Sequence, residues 1–237
     1  MANLSKSPGR IAGMFDAIAE RYDLLNHLLS AGIDRRWRRI AIRSLSLTGR
    51  ERVLDLCTGT GDLALAARAA HPQAASVIGV DFAAAMLRVG RRKVLQTGSP
   101  GSIALVRGDA TRIPLRDGSV DAVTVGFGIR NVDRADAACT EMHRVLAPGG
   151  RLAILEFAVP TLPVVRQAYL WYFNHVLPRI GQVISRHDAA YGYLPASVNA
   201  FASPGEFAAV LRDAGFAEVA VRPLTLGIVY MFTARRR

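Results

Sequence analysis

Residues 52–65 read R-V-L-D-L-C-T-G-T-G-D-L-A-L, and this segment sets the class of fold to expect. It opens with Val53-Leu54-Asp55-Leu56, an apolar run short enough to be a buried strand. The chain then turns through Thr58-Gly59-Thr60-Gly61, where glycine lets the backbone bend tightly and a ligand come close. Apolar residues at helical spacing follow. Strand, glycine turn and helix are the first unit of a nucleotide-binding α/β sheet.

A second strand supports a nucleotide site. The apolar run 76–80 is followed by Asp81, 20 residues beyond Gly61. An acid at that position hydrogen-bonds a ribose in dinucleotide-binding units. The turn 59–64 fits the G-x-G-x-x-A pattern of those units, and it also fits the shorter glycine loop of S-adenosylmethionine (SAM) enzymes. Two nearby glycines also occur in ordinary strand-to-helix turns, so the choice depends on the chain downstream.

The length and composition of the chain limit the classes of protein to which it can belong. A chain of 237 residues with 51% hydrophobic content can bury the core of one large domain or one and a half. It has no run of 18 apolar residues, so no transmembrane helix is expected, and residues 1–13 lack the apolar stretch of a signal peptide. The two cysteines, Cys57 and Cys139, are too far apart for a metal motif. We interpret them as reduced core residues of a cytosolic protein without a metal site.

The formal net charge is +11, and all basic residues are arginine except Lys6 and Lys93. Such a charge favours anionic partners, either nucleic acid or an anionic membrane surface. The densest cluster is 35–39, R-R-W-R-R. Basic residues around Trp37 suit a bilayer interface or RNA, and a solvated helix face is an equally good interpretation. The arginine bias is also what a GC-rich genome would produce.

The order of elements predicts a helical cap at 1–50, a nucleotide-binding core at 51–157, a lid rich in aromatic residues at 158–203, and completion of the sheet at 204–237. In the cap, a helix follows a disordered lead of nine residues, breaks at 30–32, and a second helix runs from Asp34, its predicted N-cap, to about Leu45. Further strands are predicted at 103–107, 120–125, 151–157, 216–222 and 226–234, and helices at 82–96, 133–146, 164–177, 178–184 and 205–214, with a loop or short helix at 185–199.

The segment after the third strand decides between the two nucleotide interpretations. Asp109-Ala110 is followed by Ile113-Pro114-Leu115, and an acid there is well placed for an adenine amino group. With the R-V-L-A-P-G-G-R-L turn before the fifth strand, the chain resembles class I SAM-dependent methyltransferases. The resemblance implies an α/β, Rossmann-like fold with a seven-stranded, mostly parallel sheet and an antiparallel last strand. It makes a dinucleotide the less favoured ligand.

A narrower resemblance covers nearly the whole chain, from about Phe15 to Ala234. It is carried by 22–26 (Y-D-L-L-N) with Ser30 and Trp37, by 127–131 (F-G-I-R-N), by 144–156, by 191–198 and by 226–229. These stretches are similar to the quinone-biosynthesis C-methyltransferases, which methylate demethylmenaquinol and polyprenyl-methoxybenzoquinol. The resemblance therefore implies methylation of a quinol ring carbon, and we favour demethylmenaquinol as the substrate.

The chain departs from the family pattern at five positions. Asp34 stands where His is usual, and Leu25 where Met is usual. Gly126 replaces a Ser that contacts SAM, while Ala147 and Ala158 replace Lys and Ser. None of these removes a group that the chemistry requires, but at Gly126 the backbone or a water molecule must take the place of the serine side chain.

Carried over by position, the resemblance implies that Thr60, Asp81, Asp109 and Ala110 bind SAM. Asp81 can accept charge-assisted hydrogen bonds from both ribose hydroxyls. Asp55 either receives the amino group or only fixes the glycine loop. The full expected set of SAM-binding residues is Asp55, Gly59, Thr60, Gly61, Asp81, Phe82, Asp109, Ala110 and Gly126.

Methyl transfer from a sulfonium to an aromatic carbon needs an electron-rich ring, so the substrate must be the reduced quinol. Arg130 is the first candidate to stabilise the developing oxyanion, because it follows the fourth strand at the edge where ligands bind. Its alternative role is a structural pair with an acid. Asn131 either positions a quinol oxygen or caps the next helix. His187 and Tyr191 are candidate bases in the lid, although a solvated loop histidine is the simpler interpretation of His187.

Two further sets complete the expected site. Tyr22 and Asp23 are expected to close over SAM or substrate from the helical cap. The aromatic residues expected along an apolar path for the isoprenoid tail, or else in the core, are Phe127, Tyr169, Trp171, Tyr172 and Phe173.

The expected partners are a polyprenyl quinol and an anionic membrane surface, with no nucleic acid and no metal, and a homodimer is compatible with the sequence. The expected location is the cytoplasm, with peripheral association at the inner face of the cell membrane. Three alternatives stay open. They are an RNA methyltransferase, suggested by the charge, a natural-product or sterol methyltransferase, and a SAM-fold subunit without catalysis. The sequence shows no RNA-binding module, which argues against the first. The stretches 127–131 and 191–198 argue against the second, and the intact SAM residues argue against the third.

Overall fold

The fold is taken from a computed structural model that describes residues 6–70, 76–98, 101, 103–176 and 188–237. The sequence alternates strands with helices, which predicts a largely parallel sheet covered on both faces. The strands are β1 (Arg52–Leu56), β2 (Ser76–Asp81), β3 (Ile103–Arg107), β4 (Val120–Gly126), β5 (Leu146–Phe157), β6 (Ala217–Leu224) and β7 (Val229–Arg235). The helices are α1 (Pro8–Leu29), α2 (Asp34–Ser44), α3 (Asp62–Ala70), α4 (Ala84–Gln96), α5 (Ala135–Val145), α6 (Pro163–Trp171), α7 (Asp188–Ala200) and α8 (Pro204–Asp213).

The seven strands form one sheet in the order β3-β2-β1-β4-β5-β7-β6. All neighbours are parallel except at β7, which is antiparallel to both β5 and β6. This confirms the expected seven-stranded sheet with its antiparallel last strand. The strand order reverses between β1 and β4, and ligands of open α/β sheets bind outside the carboxyl ends of the strands at such a point.

Both faces of the sheet are buried, which explains why the central strands are almost continuous apolar runs. Val53 and Leu54 on β1 point to opposite faces, and both are fully buried. Helices α2, α3 and α4 cover one face, and α5 and α8 cover the other, where Phe207 packs edge-on against Phe232 at 5.0 Å.

The helical cap differs from prediction at the starts of its two helices. Helix α1 begins at Pro8, so the last two residues of the predicted disordered lead are helical. The break falls at 30–33 as expected, but Asp34 is the first residue of α2 and does not cap it, because Ile33 occupies the N-cap position. The Asp34 carboxylate instead accepts a hydrogen bond from the Ser30 hydroxyl at 2.8 Å and pairs with Arg38 one turn along. The predicted N-cap at Asp34 is therefore wrong, and its side chain ties the α1–α2 turn together.

The segment between β5 and α8 is partly described. Helix α6 continues into a π-helical turn, Tyr172–Val176, and α7 follows from Asp188. The loop or short helix predicted at 185–199 is a 13-residue helix over its described part, while the helix predicted at 178–184 lies outside the described residues. None of the described helices combines the length and apolarity required to cross a bilayer.

Candidate functional site

Two adjoining cavities lie where the carboxyl ends of β1, β2, β3 and β4 meet the helical cap. The strand-edge cavity, of about 250 Å³, is bordered by the ends of these strands and by the start of α1. The apolar cavity, of about 490 Å³, lies between α1, α2, α6 and α7. Phe15, Tyr22 and Phe127 line both cavities, so the two spaces share a wall.

The strand-edge cavity brings together most of the residues expected to bind SAM. These residues come from four separate strand ends, and only the parallel sheet makes them neighbours. The expected residues that line this cavity are Gly59, Asp81, Phe82, Asp109, Ala110 and Gly126.

Asp81 holds the glycine loop in place while it faces this cavity. One carboxylate oxygen accepts the Gly59 N–H at 2.7 Å, and the other accepts the Ala83 N–H at 2.8 Å. Burial raises the pKa of Asp81, although these N–H groups act in the opposite direction. A carboxylate can accept about four hydrogen bonds, so Asp81 retains acceptor capacity for hydroxyl groups of a ligand.

Asp109 presents a second carboxylate at the same cavity. Its Oδ1 accepts the Thr111 N–H and the Thr111 hydroxyl, both at 2.8 Å. Among the described residues, Oδ2 has no hydrogen-bond partner, so it is the oxygen available to a donor in the cavity. Ala110 is buried beside it and adds an apolar surface.

Three expected residues do not line this cavity. The Thr60 hydroxyl donates to Asp23 at 2.5 Å, and Lys93 binds Asp23 at 2.7 Å. Gly61 has φ +81° and approaches the Gly90 backbone of α4. Asp23 is thus engaged by Thr60 and Lys93, and the cap is anchored to the glycine loop through it.

Asp55, the third of these residues, is buried beneath the loop. Its carboxylate accepts hydrogen bonds from the Thr58 hydroxyl at 2.5 Å, the Thr124 hydroxyl at 2.8 Å and the Ala64 N–H at 3.1 Å. These bonds join β1, β4, the glycine loop and α3. The arrangement favours the loop-fixing role of Asp55 over contact with an amino group of SAM.

This burial predicts a measurable pH dependence. Burial raises the pKa of Asp55 to about 6, against the three hydrogen bonds that lower it. The folded protein therefore holds this proton more tightly than the unfolded chain, and the free energy of unfolding decreases as pH rises. Between pH 4.5 and 7 the contribution of Asp55 should fall by about 2 kcal/mol.

The measurement is urea unfolding of the wild type and of Asp55→Asn at several pH values between 4.5 and 7. The amide does not titrate. The free energy of unfolding of the wild type, taken relative to that of Asp55→Asn, should therefore decrease by that amount as pH rises. Other titrating groups affect both proteins and cancel in the comparison. A gap that stays constant with pH would contradict the raised pKa.

Arg130 is buried at the wall of the apolar cavity. Its Nη1 donates to Glu156 Oε1 at 2.7 Å and to the Phe127 carbonyl oxygen, and its Nε lies 3.4 Å from the Ser197 hydroxyl of α7. The guanidinium also lies over the Phe157 ring, 5.5 Å from its centroid. Within the described part of the chain Nη2 has no partner, so Arg130 combines the expected structural pair with free donors beside the cavity.

The other predicted catalytic residues are placed differently. Asn131 lines the strand-edge cavity and is absent from the residues lining the apolar cavity. Its Oδ1 is buried with no hydrogen-bond partner among the described residues. Tyr191 belongs to α7, but its side chain is outside the described residues, as is all of His187. Both stay predictions.

Tyr193 is a site residue that the sequence interpretation missed. It is buried, it lines the apolar cavity, and its hydroxyl has no partner among the described residues. It lies one helical turn before Ser197, which contacts Arg130, so both groups belong to the same face of α7. Helical spacing within 191–198 would have singled out Tyr193 once the segment was treated as a helix.

Trp37 does not face solvent as a bilayer anchor would. It is buried between Phe127 and Phe157, with ring centroids 5.9 and 6.1 Å away, and its Nε1–H donates to Thr225 at 2.8 Å. The idea that Trp37 meets a membrane or RNA is therefore wrong. The arginines around it divide between two environments, because Arg38 is buried while Arg35, Arg36, Arg39 and Arg43 are exposed.

Three of the five aromatic residues expected along an apolar path line the apolar cavity. These are Phe127, Tyr169 and Tyr172, and Phe127 stacks on Phe157 at 4.4 Å. Trp171 is 59% exposed, and the Phe173 side chain is outside the described residues.

A cluster of His27, Asp34 and Asp62 places three potential ligand atoms within 4.8 Å of one another. Arg38 already pairs with Asp34 and lies 3.2 Å from Asp62. A guanidinium therefore neutralises the acidic groups that a cation would need.

Comparison with known proteins agrees with this geometry. The chain is 48% identical over 236 residues, all of both chains, to the ubiquinone/menaquinone biosynthesis C-methyltransferase UbiE of Geobacter sp. (strain M21). It is 43% identical to the demethylmenaquinone methyltransferase of Clavibacter sepedonicus, covering 96% of this chain and 91% of that one. A SAM-dependent methyltransferase from Aquifex aeolicus shares the fold, with a TM-score of 0.64 at 17% identity and 98% and 99% coverage. The model of the ubiE/COQ5 methyltransferase family matches residues 3–236, and the chain belongs to that family.

Proposed function

We propose that this protein is a SAM-dependent methyltransferase that methylates a ring carbon of demethylmenaquinol in respiratory quinone biosynthesis. The observation that carries the proposal is the pair of adjoining cavities, one with carboxylates at the strand ends and one largely apolar, separated by Tyr22 and Phe127. Relatives with 48% and 43% identity are named for this reaction class. A polyprenyl-methoxybenzoquinol is the alternative substrate, because the name of the first relative covers both pathways.

The residues of the strand-edge cavity fit SAM. Asp81 is placed for ribose hydroxyls and Asp109 Oδ2 for an amino group, while Gly59 and Gly126 leave room for backbone approach. SAM, when bound, supplies the methyl group as an electrophile. The role of the chain is to align this group with the ring carbon, and good alignment can supply about 7–11 kcal/mol of the barrier reduction.

The apolar cavity fits the head group and part of the tail of a quinol. Arg130 stays protonated and offers the Nη2 donors to a ring oxygen, so it stabilises the oxyanion as the ring becomes nucleophilic. Tyr193 offers a buried hydroxyl at the same cavity, and an unsatisfied group of this kind costs about 1–3 kcal/mol unless a ligand pairs with it. The ring oxygens of a quinol would satisfy both groups.

The proposed function is tested by methyl transfer from labelled SAM to reduced demethylmenaquinone and, separately, to a reduced polyprenyl-methoxybenzoquinone. Product from the naphthoquinol alone would assign the menaquinone reaction, and product from both rings would make the enzyme dual. No product from either ring, with SAM still bound, would contradict the quinone assignment and favour another small-molecule substrate.

We also infer peripheral association with the inner face of the membrane, since the substrate carries a long apolar tail. Trp37 is buried, so other residues must make the contact. Leu28 and Ile33 line the apolar cavity and are 49% and 38% exposed, and Leu226 in the β6–β7 connection is 65% exposed. The exposed arginines of α2 begin at Arg35, two residues after Ile33, and complement anionic lipid.

Changing Arg35, Arg36 and Arg39 together to Gln should weaken binding to anionic vesicles about 10- to 100-fold, because each arginine near such a surface contributes about 1 kcal/mol. Vesicle co-sedimentation at low salt measures this. The matched control changes Arg212, Arg222 and Arg237 to Gln, which removes the same charge from exposed positions outside the helical cap. Binding that is equal at low and high salt, or equal losses in both variants, would contradict this surface.

A further inference from the structure

We propose that Lys6 and Asn131 bind the amino-acid end of SAM, Lys6 through the carboxylate and Asn131 Oδ1 through the ammonium group. The inference rests on the proposed use of SAM and is independent of which quinol is methylated. It assigns a role to a residue in the segment predicted to be a disordered lead, and a cofactor role to a residue predicted to act on the quinol.

Lys6 lines the strand-edge cavity although it lies at the beginning of the described chain. Ser7 is the N-cap of α1, and Ile11, Ala12 and Phe15 of that helix line the same cavity. The start of the helix therefore fixes where Lys6 can reach. Among the described residues, no carboxylate lies within ion-pair distance of its ammonium group.

The surroundings of Lys6 suit an anionic ligand. Burial lowers the pKa of Lys6, and the carboxylates of Asp133 and Glu156 oppose that shift while Arg130 adds to it. A partly desolvated cation gains more from an opposite charge than an exposed one does. Arg134 also lines the cavity, but it is exposed and pairs with Asp136 at 3.0 Å, so Lys6 is the better placed cation.

Asn131 supplies an unused acceptor at the same cavity. Its backbone N–H donates to the Gly128 carbonyl at 3.0 Å, which fixes the turn after β4, while its buried Oδ1 has no partner among the described residues. A buried acceptor without a partner costs about 1–3 kcal/mol, so a donor on the ligand would remove this cost. An ammonium group is such a donor, and Asp133, two residues along the chain, adds a favourable charge at the same cavity.

The cavity therefore carries two kinds of polar group. Asp81 and Asp109 accept from hydroxyl and amino groups, and they would repel a carboxylate. Lys6 and Asn131 offer the opposite combination, a cation and an acceptor. A ligand that carries both a nucleoside and an α-amino acid can use both kinds of group.

Calorimetric binding of S-adenosylhomocysteine and of its analogue without the carboxylate tests the proposal without any quinol. The wild type should bind S-adenosylhomocysteine at least 10-fold more tightly than the analogue, as expected when a charge-assisted hydrogen bond is removed. In Lys6→Met this preference should fall to about 1- to 3-fold, through weaker binding of the carboxylate ligand alone. Lys6→Arg should keep most of it.

Arg10→Gln is the matched control, because it removes one exposed positive charge from the same end of α1 without changing the cavity lining. Asn131→Ala should weaken both ligands about equally, since both carry the ammonium group. Equal weakening of both ligands in Lys6→Met, or no change, would overturn the assignment to the carboxylate. An unchanged affinity of Asn131→Ala for both ligands would overturn the assignment of Asn131 to the ammonium group. No methylation of either quinol by the wild type, with the ligand affinities as expected, would instead contradict the proposed substrate.

Discussion

Replacing Arg130 by methionine is expected to lower the methylation rate about 10²–10³-fold, because the transition state loses its charged donor. The same change should lower the free energy of unfolding by about 3–5 kcal/mol, since it leaves Glu156 buried without its counter-charge. Binding of S-adenosylhomocysteine should stay near the wild-type value, because Arg130 is not among the residues lining the strand-edge cavity. Rates with the reduced quinone, urea unfolding and calorimetry measure these effects separately.

The double variant Arg130→Met/Glu156→Gln separates catalysis from stability. It removes both charges. Glu156 accepts the backbone N–H groups of residues 130 and 157 through separate oxygens, and the single amide oxygen of the introduced glutamine can still accept one of them. Much of the stability should return, because removing both members of a buried pair is far less costly than removing one. The rate should stay low. A double variant with activity within about fivefold of the wild type would show that Arg130 acts only as a structural partner.

The second large effect is expected at Gly128. A Cβ built on this residue would lie 2.4 Å from the Cys57 Cβ, closer than real contacts allow, and 3.2 Å from its sulfur. The Cys57 Cβ is attached directly to the backbone, so no side-chain rotation can relieve the clash. Gly128→Ala should lower the free energy of unfolding by about 3 kcal/mol, at the upper end for overpacking. It should also lower activity, because Arg130 and Asn131 follow closely in the chain.

A compensating change makes this prediction specific. Cys57 has φ +54°, a conformation that glycine adopts without strain. The variant Cys57→Gly/Gly128→Ala moves a small side chain from the glycine loop to the β4 turn. It should recover most of the stability that Gly128→Ala alone removes, as measured by urea unfolding. A double variant no more stable than the single one would contradict the proposed clash.

The sheet could be predicted because its signals are local. Strands β1, β2 and β3 are short apolar runs with clear ends, and the third has the predicted bounds 103–107. Parallel strands buried on both faces produce such runs wherever they occur. The residues at the strand ends, such as Asp81 and Asp109, then follow from topology. Their convergence on one cavity needs no knowledge of side-chain packing beyond that.

Other features depend on contacts between distant segments. Trp37 stands among arginines, but it belongs to the same buried cluster as Ala41, Ile42 and Leu45, and that cluster packs on the sheet. The basic residues next to Trp37 in the sequence suggested that it is exposed. Its burial is instead determined by the residues that surround it in the folded protein. Lys6 could not be placed, since only the direction of α1 brings it to the cavity.

Helix α1 is a wall of both cavities, and this has a kinetic consequence. Phe15 and Tyr22 face both spaces, and the helix is tied to α4 by Asp16, which accepts the Ala85 N–H at 2.6 Å, and by the pair of Glu20 with Arg92. Any displacement of α1 therefore opens the two compartments at once. We therefore expect exchange of the spent donor and departure of the methylated product to depend on the same helix.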